Sequence, residues 1–132
     1  MTTTTYDRER NDLLTRDETS MLISSDKVEG TTVYDRDGEK LGSVKKVMLT
    51  KHDGRVRYVV MGSGGLFGMG EDFTPLPWDA LEYDTDINGY RLKTLSKDDL
   101  ERDEPPRFSS QKDQNWDEDY ERRVRLYYFP AV

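Results

Sequence analysis

Hydrophobic and polar residues alternate most clearly over residues 55–61 of the chain. In an extended conformation Val56, Tyr58 and Val60 fall on one face, while Arg57 falls on the other. This period of two is typical of a β-strand with one buried face. The pattern therefore predicts a strand here, with the Tyr58 face directed at the core.

Three dipeptides that favour tight turns divide the middle of the chain into short strand-like runs: Asp37-Gly38, Asp53-Gly54 and Asn88-Gly89. Gly, Asn and Asp tolerate the positive φ angles that type I′ hairpin turns require at both central positions. The turns bracket one predicted strand over residues 41–50 and another over residues 90–94. Many short strands separated by turn residues predict a small antiparallel β-barrel or sandwich.

The segment that follows the glycine-rich run contains Pro75 and Pro77 close together. Proline has no N–H to donate to a neighbouring strand, so this segment is predicted to be an edge or irregular strand. Ser96, with an acid three residues later, predicts the N-cap of a short helix after the last strand. The pair Pro105-Pro106 ends that helix and, with it, the predicted barrel.

The two ends of the chain are more polar than its middle. Residues 1–25 are rich in Thr, Asp and Arg and predict a partly disordered arm, in which Met21-Leu22-Ile23 is an apolar island. Residues 26–106 form the predicted barrel domain and residues 107–132 a C-terminal extension. Because their apolar supply is thin, we expect the two tails not to share the barrel core.

The C-terminal extension has the pattern of an amphipathic helix. Asn115 is the predicted N-cap, and Trp116, Tyr120 and Val124 follow one another at four-residue intervals, which places them on one face. Three acid-before-base pairs at i, i+4 are expected to neutralise the solvated face, namely Glu118 with Arg122, Asp119 with Arg123 and Glu121 with Arg125. The aromatic face continues in Tyr127 and Tyr128 and needs a partner surface, either on the barrel or on a second subunit.

Several of these segments resemble a known family. Residues 30–35, 38–44 and 54–60 look like successive strands of the PRC-barrel, a domain shared with the H subunit of the photosynthetic reaction centre. Residues 64–70, followed by Pro77-Trp78-Asp79-Ala80-Leu81, are similar to a stress-associated bacterial branch of that family. The resemblance implies an all-β fold, a small antiparallel PRC-type barrel that acts as an assembly module and is often oligomeric, and it offers no catalytic residues.

Composition narrows the range of partners. The formal net charge of −7 and a pI near 4.8 oppose direct binding to nucleic acid, which favours a basic surface. The chain contains no cysteine, which excludes disulfides and thiolate chemistry. No apolar run is long enough to predict a membrane span, so a cytoplasmic protein is expected.

Two segments are candidates for binding. The apolar side chains Leu66, Phe67 and Met69 lie on a glycine-rich loop, where they either cap the barrel mouth or contact a partner. Asp84, Asp86 and Asn88 match the first half of an EF-hand calcium loop. The twelfth position of that loop is Leu95 instead of Glu, so an Asx-rich hairpin turn is favoured over a calcium site.

The sequence therefore predicts a non-enzymatic interaction module without a cofactor or a metal site. We expect a homo-oligomer with an unknown protein partner in bacterial stress physiology, bound through the loop residues or through the helix residues Trp116, Tyr120, Val124, Tyr127 and Tyr128. One alternative is an adaptor in RNA processing or ribosome maturation that acts through a protein partner. Another is a barrel that senses calcium or a small ligand.

Overall fold

The computed structural model describes residues 18–19, 21–64, 71–108 and 114–130. Their strands are β1 (Thr32–Tyr34), β2 (Lys40–Leu49), β3 (Val56–Gly64), β4 (Glu71–Pro77), β5 (Leu81–Asp84) and β6 (Gly89–Leu92). Their α-helices are α1 (Ser25–Val28), α2 (Lys97–Arg102) and α3 (Glu118–Tyr128), and a 3-10 helix spans Trp78–Ala80. None of the described helices is long and apolar enough to cross a bilayer.

The six strands form one sheet in the order β4-β3-β2-β1-β6-β5. Neighbouring strands are antiparallel except for β1 and β6, which pair in parallel, with Val33 opposite Tyr90. The prediction of a mostly β fold with a short helix after the last strand and a helical C-terminal tail is confirmed. The prediction of a wholly antiparallel barrel is wrong at β1 and β6. The chain passes through the edge strand β5 before β6, and β6 then lies beside β1 and runs in the same direction.

The sheet is strongly curled. Its two edge strands are β4 and β5, yet only three residues, Trp78–Ala80, connect them. Four Cα–Cα steps span at most about 15 Å, whereas the edges of a flat six-stranded sheet lie about 24 Å apart. The short connection therefore requires the edges to approach each other, and the described strands form an open, curled half-barrel.

The three predicted turns occur where the dipeptides stand, but they are not type I′. Gly38, Gly54 and Asn88 have φ angles of 88°, 70° and 50°, and neither Asp37 nor Asp53 has a positive φ. Each loop spans at least four residues and so needs only one left-handed position. The residue types predicted the places of the turns, and the loop lengths determine their geometry.

The prediction of an edge strand is confirmed for β4, and hydrogen-bond direction explains why two prolines fit there. Phe73 pairs with Phe108 outside the sheet, donating to its carbonyl at 2.8 Å and accepting at 2.9 Å. The N–H of Phe73 thus points away from β3, and by the alternation of a strand so do positions 75 and 77. Pro75 and Pro77 therefore remove no hydrogen bond to β3 and block further strand addition.

The core lies inside the curl and extends to the outer side of β3. Tyr58, Val59, Val60 and Met61 are all buried, so the predicted alternation of exposed and buried residues does not hold there. The second face is covered by α3, which packs against β4 and contributes Tyr120, Val124 and Tyr128 to the core cluster. The expectation that the tails do not share the core is therefore wrong for the C-terminal extension.

Both C-terminal helices begin at polar caps. The predicted N-cap of α2 is confirmed, since the Ser96 hydroxyl accepts the N–H of Asp99 and the Asp99 carboxylate accepts the N–H of Ser96. The N-cap of α3 is Asp117, not Asn115, and its carboxylate accepts the N–H of Tyr120 at 2.9 Å. A charged carboxylate complements the positive end of a helix better than a neutral amide does.

Candidate functional site: an apolar groove beside the curled sheet

An apolar groove of about 680 Å³ opens where β2 ends and β3 begins. Residues from distant parts of the chain line it: the segment from Glu18 to Glu29, Val47 and Leu49 of β2, Val56 of β3, Trp78, Tyr83 and Tyr90. Apolar concave surfaces of this size commonly bind small ligands or partner side chains. The groove is the candidate functional site.

A compact turn forms one wall of the groove. The backbone N–H of Thr19 donates to the carbonyl of Leu22 at 2.7 Å, and the Thr19 hydroxyl accepts the N–H of Leu22 at 2.9 Å and that of Met21 at 3.2 Å. Glu18 and Ile23 form a β-bridge across this turn. The hydrogen bonds hold Met21 and Leu22 at the tip, where they are 88% and 72% exposed.

The same wall is anchored to the sheet. Ile23 packs against the core, Val28 of α1 is buried, and the Lys27 ammonium forms a 2.7 Å salt bridge with Glu18. The described part of the polar N-terminal arm is therefore folded against the half-barrel. Met21 and Leu22 at its tip remain exposed to solvent, because the residues that anchor the arm, Ile23 and Val28, follow them in the chain.

Aromatic side chains form the opposite wall. Tyr90 is buried between the rings of Trp78 and Tyr83, with ring centroids 5.5 Å and 5.3 Å away. Burial raises the pKa of Tyr90 above its ordinary value, so its hydroxyl stays neutral at physiological pH. Trp78 and Tyr83 remain partly exposed and present flat apolar surfaces to the groove.

The charge of the groove has one sign. Glu18 and Glu29 are the charged residues among the described residues that line it, and because Glu18 is paired with Lys27, the excess negative charge at the border is that of Glu29. An apolar surface bordered by carboxylates favours a ligand that combines bulky apolar groups with positive charge.

The predicted aromatic face of the C-terminal helix is directed inward. Tyr120, Val124 and Tyr128 are buried in the core of the chain, and Trp116 and Tyr127 pack against that core. The Trp116 ring lies 5.3 Å from that of Tyr58 and 5.5 Å from that of Tyr120. Of the two partner surfaces considered from the sequence, the barrel of the same chain is the one that covers this face.

Ion pairs between elements hold α3 in place. Glu121 accepts from Arg57 of β3 at 2.7 Å, and Arg125 donates to Asp79 of the 3-10 helix at 2.9 Å. The hydrogen bond from Arg125 holds the pKa of Asp79 below its ordinary value. The predicted pairing of Glu121 with Arg125 within the helix is wrong, because each of these residues pairs with the barrel.

The remaining predicted pairs behave differently. Asp119 pairs with Arg123 at 3.5 Å, as expected, and also with Arg122 one turn away. Arg122 was expected to pair with Glu118 and pairs with Asp119 instead. These contacts lie on the solvent side of α3, where they neutralise the helix surface in part.

The predicted loop residues Leu66, Phe67 and Met69 lie outside the described residues. Asp84 is the last residue of β5, and Asp86 and Asn88 lie in the turn between β5 and β6, as the hairpin interpretation predicts. The Asp84 carboxylate pairs with Arg91 and accepts the N–H of Asp86 at 2.9 Å, and its pKa is lowered chiefly by Arg91. In the described ranges no three His, Asp or Glu side chains cluster closely enough to hold a metal ion.

Few features of the sequence indicate the groove. The island Met21-Leu22-Ile23 stands out in a polar arm, and Trp78 appears only as part of the segment that resembles the family. Nothing in the sequence brings these residues to Leu49 and Tyr83, because the groove forms only when four separate segments meet. An apolar island within an otherwise polar tail was the usable signal.

The curled sheet, the covering helix and the apolar groove define a small β-rich domain with a surface suited to binding. The family model of the PRC-barrel domain matches residues 21–98, more than half of the chain. The chain belongs to the PRC-barrel domain family. A comparison with curated proteins found no match.

Proposed function

We propose that this protein is a non-enzymatic interaction module and that the apolar groove is its docking surface. The observation that carries the proposal is the distribution of exposed apolar side chains. Seven large apolar side chains are exposed among the described residues, and five of them line the groove: Met21, Leu22, Leu49, Trp78 and Tyr83. Contiguous exposed apolar patches of this kind are characteristic of interaction sites.

The state of the carboxylates supports a function without catalysis. A general acid at neutral pH needs a raised pKa. Where the pKa of a described carboxylate departs clearly from its ordinary value it is lowered, by Arg125 at Asp79 and by Arg91 at Asp84. Hydrogen bonds lower it at Asp53 and Asp99. These groups are therefore ionised and engaged with partners.

Homo-oligomerisation, and a role in the stress physiology of the bacterial cytoplasm, belong to the same proposal. The resemblance of residues 64–70 and of Pro77-Trp78-Asp79 to the stress-associated branch supports the physiological part. The net charge of −7 favours partners that carry positive charge and disfavours nucleic acid and anionic lipid.

A panel of labelled amphipathic helical peptides tests the docking surface. The peptides carry Leu and Phe three residues apart on a basic, neutral or acidic background, and binding is followed by fluorescence anisotropy. We expect the basic peptides to bind most tightly. Leu49→Glu should weaken binding about tenfold or more by placing a charge in the groove.

Thr94→Glu is the matched control, because Thr94 is exposed, lies outside the groove and gains the same charge. It should leave peptide binding unchanged. Absence of binding to the wild-type protein, or equal binding to both variants, would overturn the groove as the docking surface.

A further inference from the structure

Among the described residues, two large exposed apolar side chains do not line the groove, and both lie at the C-terminal end of α3. They are Leu126, within the helix, and Phe129, directly after its last residue. Leu126 and the buried Val124 are two residues apart and so project on opposite sides of a helix that turns about 100° per residue. Leu126 and Phe129 are three residues apart and share the outer side. We call these two residues the outer stripe.

Positively charged side chains lie next to the outer stripe, and the described lining of the groove has none. Arg122 and Arg123 lie on the solvent side of α3 in the turn before Leu126. The border of the groove, in contrast, carries Glu29 and the Glu18–Lys27 pair, so its excess charge is negative. The surface pairs that Arg122 and Arg123 form with Asp119 are solvated and contribute little, so they can be exchanged for other acidic partners. The two surfaces are complementary in both polarity and charge.

The groove and the outer stripe are also adjacent. Asp79, next to the groove residue Trp78, holds the guanidinium of Arg125, and that guanidinium lies 5.1 Å from the centre of the Phe129 ring. Two complementary patches side by side on one molecule can pair reciprocally with the same patches of a second molecule. A twofold axis between the patches produces this arrangement.

We propose that the occupant of the groove is a second copy of this chain. The outer stripe of each copy lies in the groove of the other, around a twofold axis near Asp79. Both contacts bring Arg122 and Arg123, which share Asp119 as their acidic partner, to the groove border that carries Glu29. This inference rests on the proposed function, because it requires the groove to be a docking surface.

Complementation between two variants tests the arrangement. Leu49 in the groove and Leu126 on the outer stripe are 56% and 49% exposed, so Leu49→Glu and Leu126→Glu make the same chemical change in similar surroundings. Sedimentation velocity of the full chain over a concentration series should show a dimer. Each variant should weaken it about tenfold or more, as expected for a central contact residue, and Thr94→Glu should not.

A mixture of the two variants is the decisive measurement. The unmodified stripe of Leu49→Glu can enter the unmodified groove of Leu126→Glu, so one contact of the mixed pair is intact and the other holds both glutamates, whereas in a dimer of either variant both contacts carry a glutamate. The mixture should therefore form heterodimers at concentrations where each variant alone is a monomer. If Leu49→Glu impairs folding, as judged by circular dichroism, Met21→Glu at the exposed tip of the turn takes its place as the groove variant.

Three results would overturn the second copy as the occupant. These are a monomeric wild-type protein at every concentration, a mixture that gives no heterodimer, and a dimer disrupted by Leu126→Glu but not by the groove variants. The last result would indicate contact between two α3 helices. If the wild-type protein is monomeric but binds the basic peptides through Leu49, the groove survives as the docking surface, whereas homo-oligomerisation and this inference fail.

Discussion

Asp35 illustrates how a single buried charge connects distant elements. It is 1% exposed, and its carboxylate accepts the N–H groups of Asp37 at 2.9 Å, Glu39 at 2.8 Å and Lys97 at 2.8 Å. The first two bonds fix the turn between β1 and β2. The third joins that turn to the start of α2, which lies more than sixty residues later in the chain.

Asp35→Asn should lower the free energy of unfolding by about 2 kcal/mol. The amide oxygen can still accept from the turn, but its NH₂ group then faces the N–H of Lys97, so two donors meet. Urea denaturation followed by circular dichroism measures the change. Asp37→Asn, at an exposed neighbouring position, is the control and should change stability by less than about 0.5 kcal/mol. Equal effects would show that the carboxylate is not the connection.

Two adjacent tyrosines of α3 make opposite predictions. The Tyr127 hydroxyl donates to the carbonyl of Asp103, whereas the buried hydroxyl of Tyr128 has no hydrogen-bond partner among the described residues. Tyr127→Phe should lower stability by about 1 kcal/mol, and Tyr128→Phe should raise it by a similar amount, because the desolvation cost of the hydroxyl disappears. Thermal denaturation distinguishes the two signs. A loss of stability in Tyr128→Phe would reveal a partner for that hydroxyl.

At the scale of elements, the attachment of α3 should be sensitive to alkaline pH. Burial raises the pKa of Tyr120 and Tyr127 to about 12 and that of Tyr128 well above its ordinary value. Unfolded tyrosine titrates near pH 10. Because the pKa is higher in the folded state, the contribution of these tyrosines to the free energy of unfolding is complete below about pH 10. It is lost as the pH rises towards 12.

Urea denaturation at a series of pH values checks this expectation. The free energy of unfolding should be steady up to about pH 9 and fall steadily above pH 10. A variant that replaces Tyr120, Tyr127 and Tyr128 with Phe should show a shallower dependence, and the remainder is expected from Tyr58 and Tyr90, whose pKa values burial also raises. If the slope in the variant equals that of the wild-type protein, groups outside α3 are responsible.

Short sequence patterns predicted the individual strands, turns and helices better than they predicted which of these elements pack against one another. The places of the turn dipeptides and the capping box of α2 depend on contacts close in sequence, and both were confirmed, although the predicted type I′ geometry of the turns was wrong. The parallel pairing of Val33 with Tyr90 depends on residues 57 positions apart, which no local pattern specifies. The burial of both faces of β3 depends likewise on a helix that follows more than fifty residues later.

The candidate site was less predictable than the fold for the same reason. Trp116 and Tyr120 are aromatic residues on an amphipathic helix, a pattern that indicates burial without naming the surface that covers them. The sequence suggests these residues as candidates for binding a partner, whereas in the structure they pack within the same chain. Met21 and Leu49 come from segments that sequence alone does not bring together, so their common groove was visible only in the structure.

At the scale of the whole molecule, the distribution of apolar residues makes α3 an integral part of the domain. Only 33% of the residues are hydrophobic, and the core takes Tyr120, Val124 and Tyr128 from the C-terminal extension. The family match ends at residue 98, before these residues. The half-barrel of this chain therefore depends on a segment beyond the matched region for part of its core.

Removal of residues 109–132 should consequently destabilise the half-barrel. Burial of three large side chains contributes on the order of 5 kcal/mol, which is comparable to the whole stability of a small domain. We expect the chain that ends at Phe108 to unfold at a much lower urea concentration and to form large, polydisperse particles in light scattering, because the outer face of β3 around Tyr58 is exposed. The control is Leu126→Glu in the full chain, which alters the outer side of α3 and, at a protein concentration where the wild-type protein is a monomer, should unfold like the wild-type protein. A shortened chain that stays monomeric and as stable as the full chain would show that α3 covers the sheet without stabilising it.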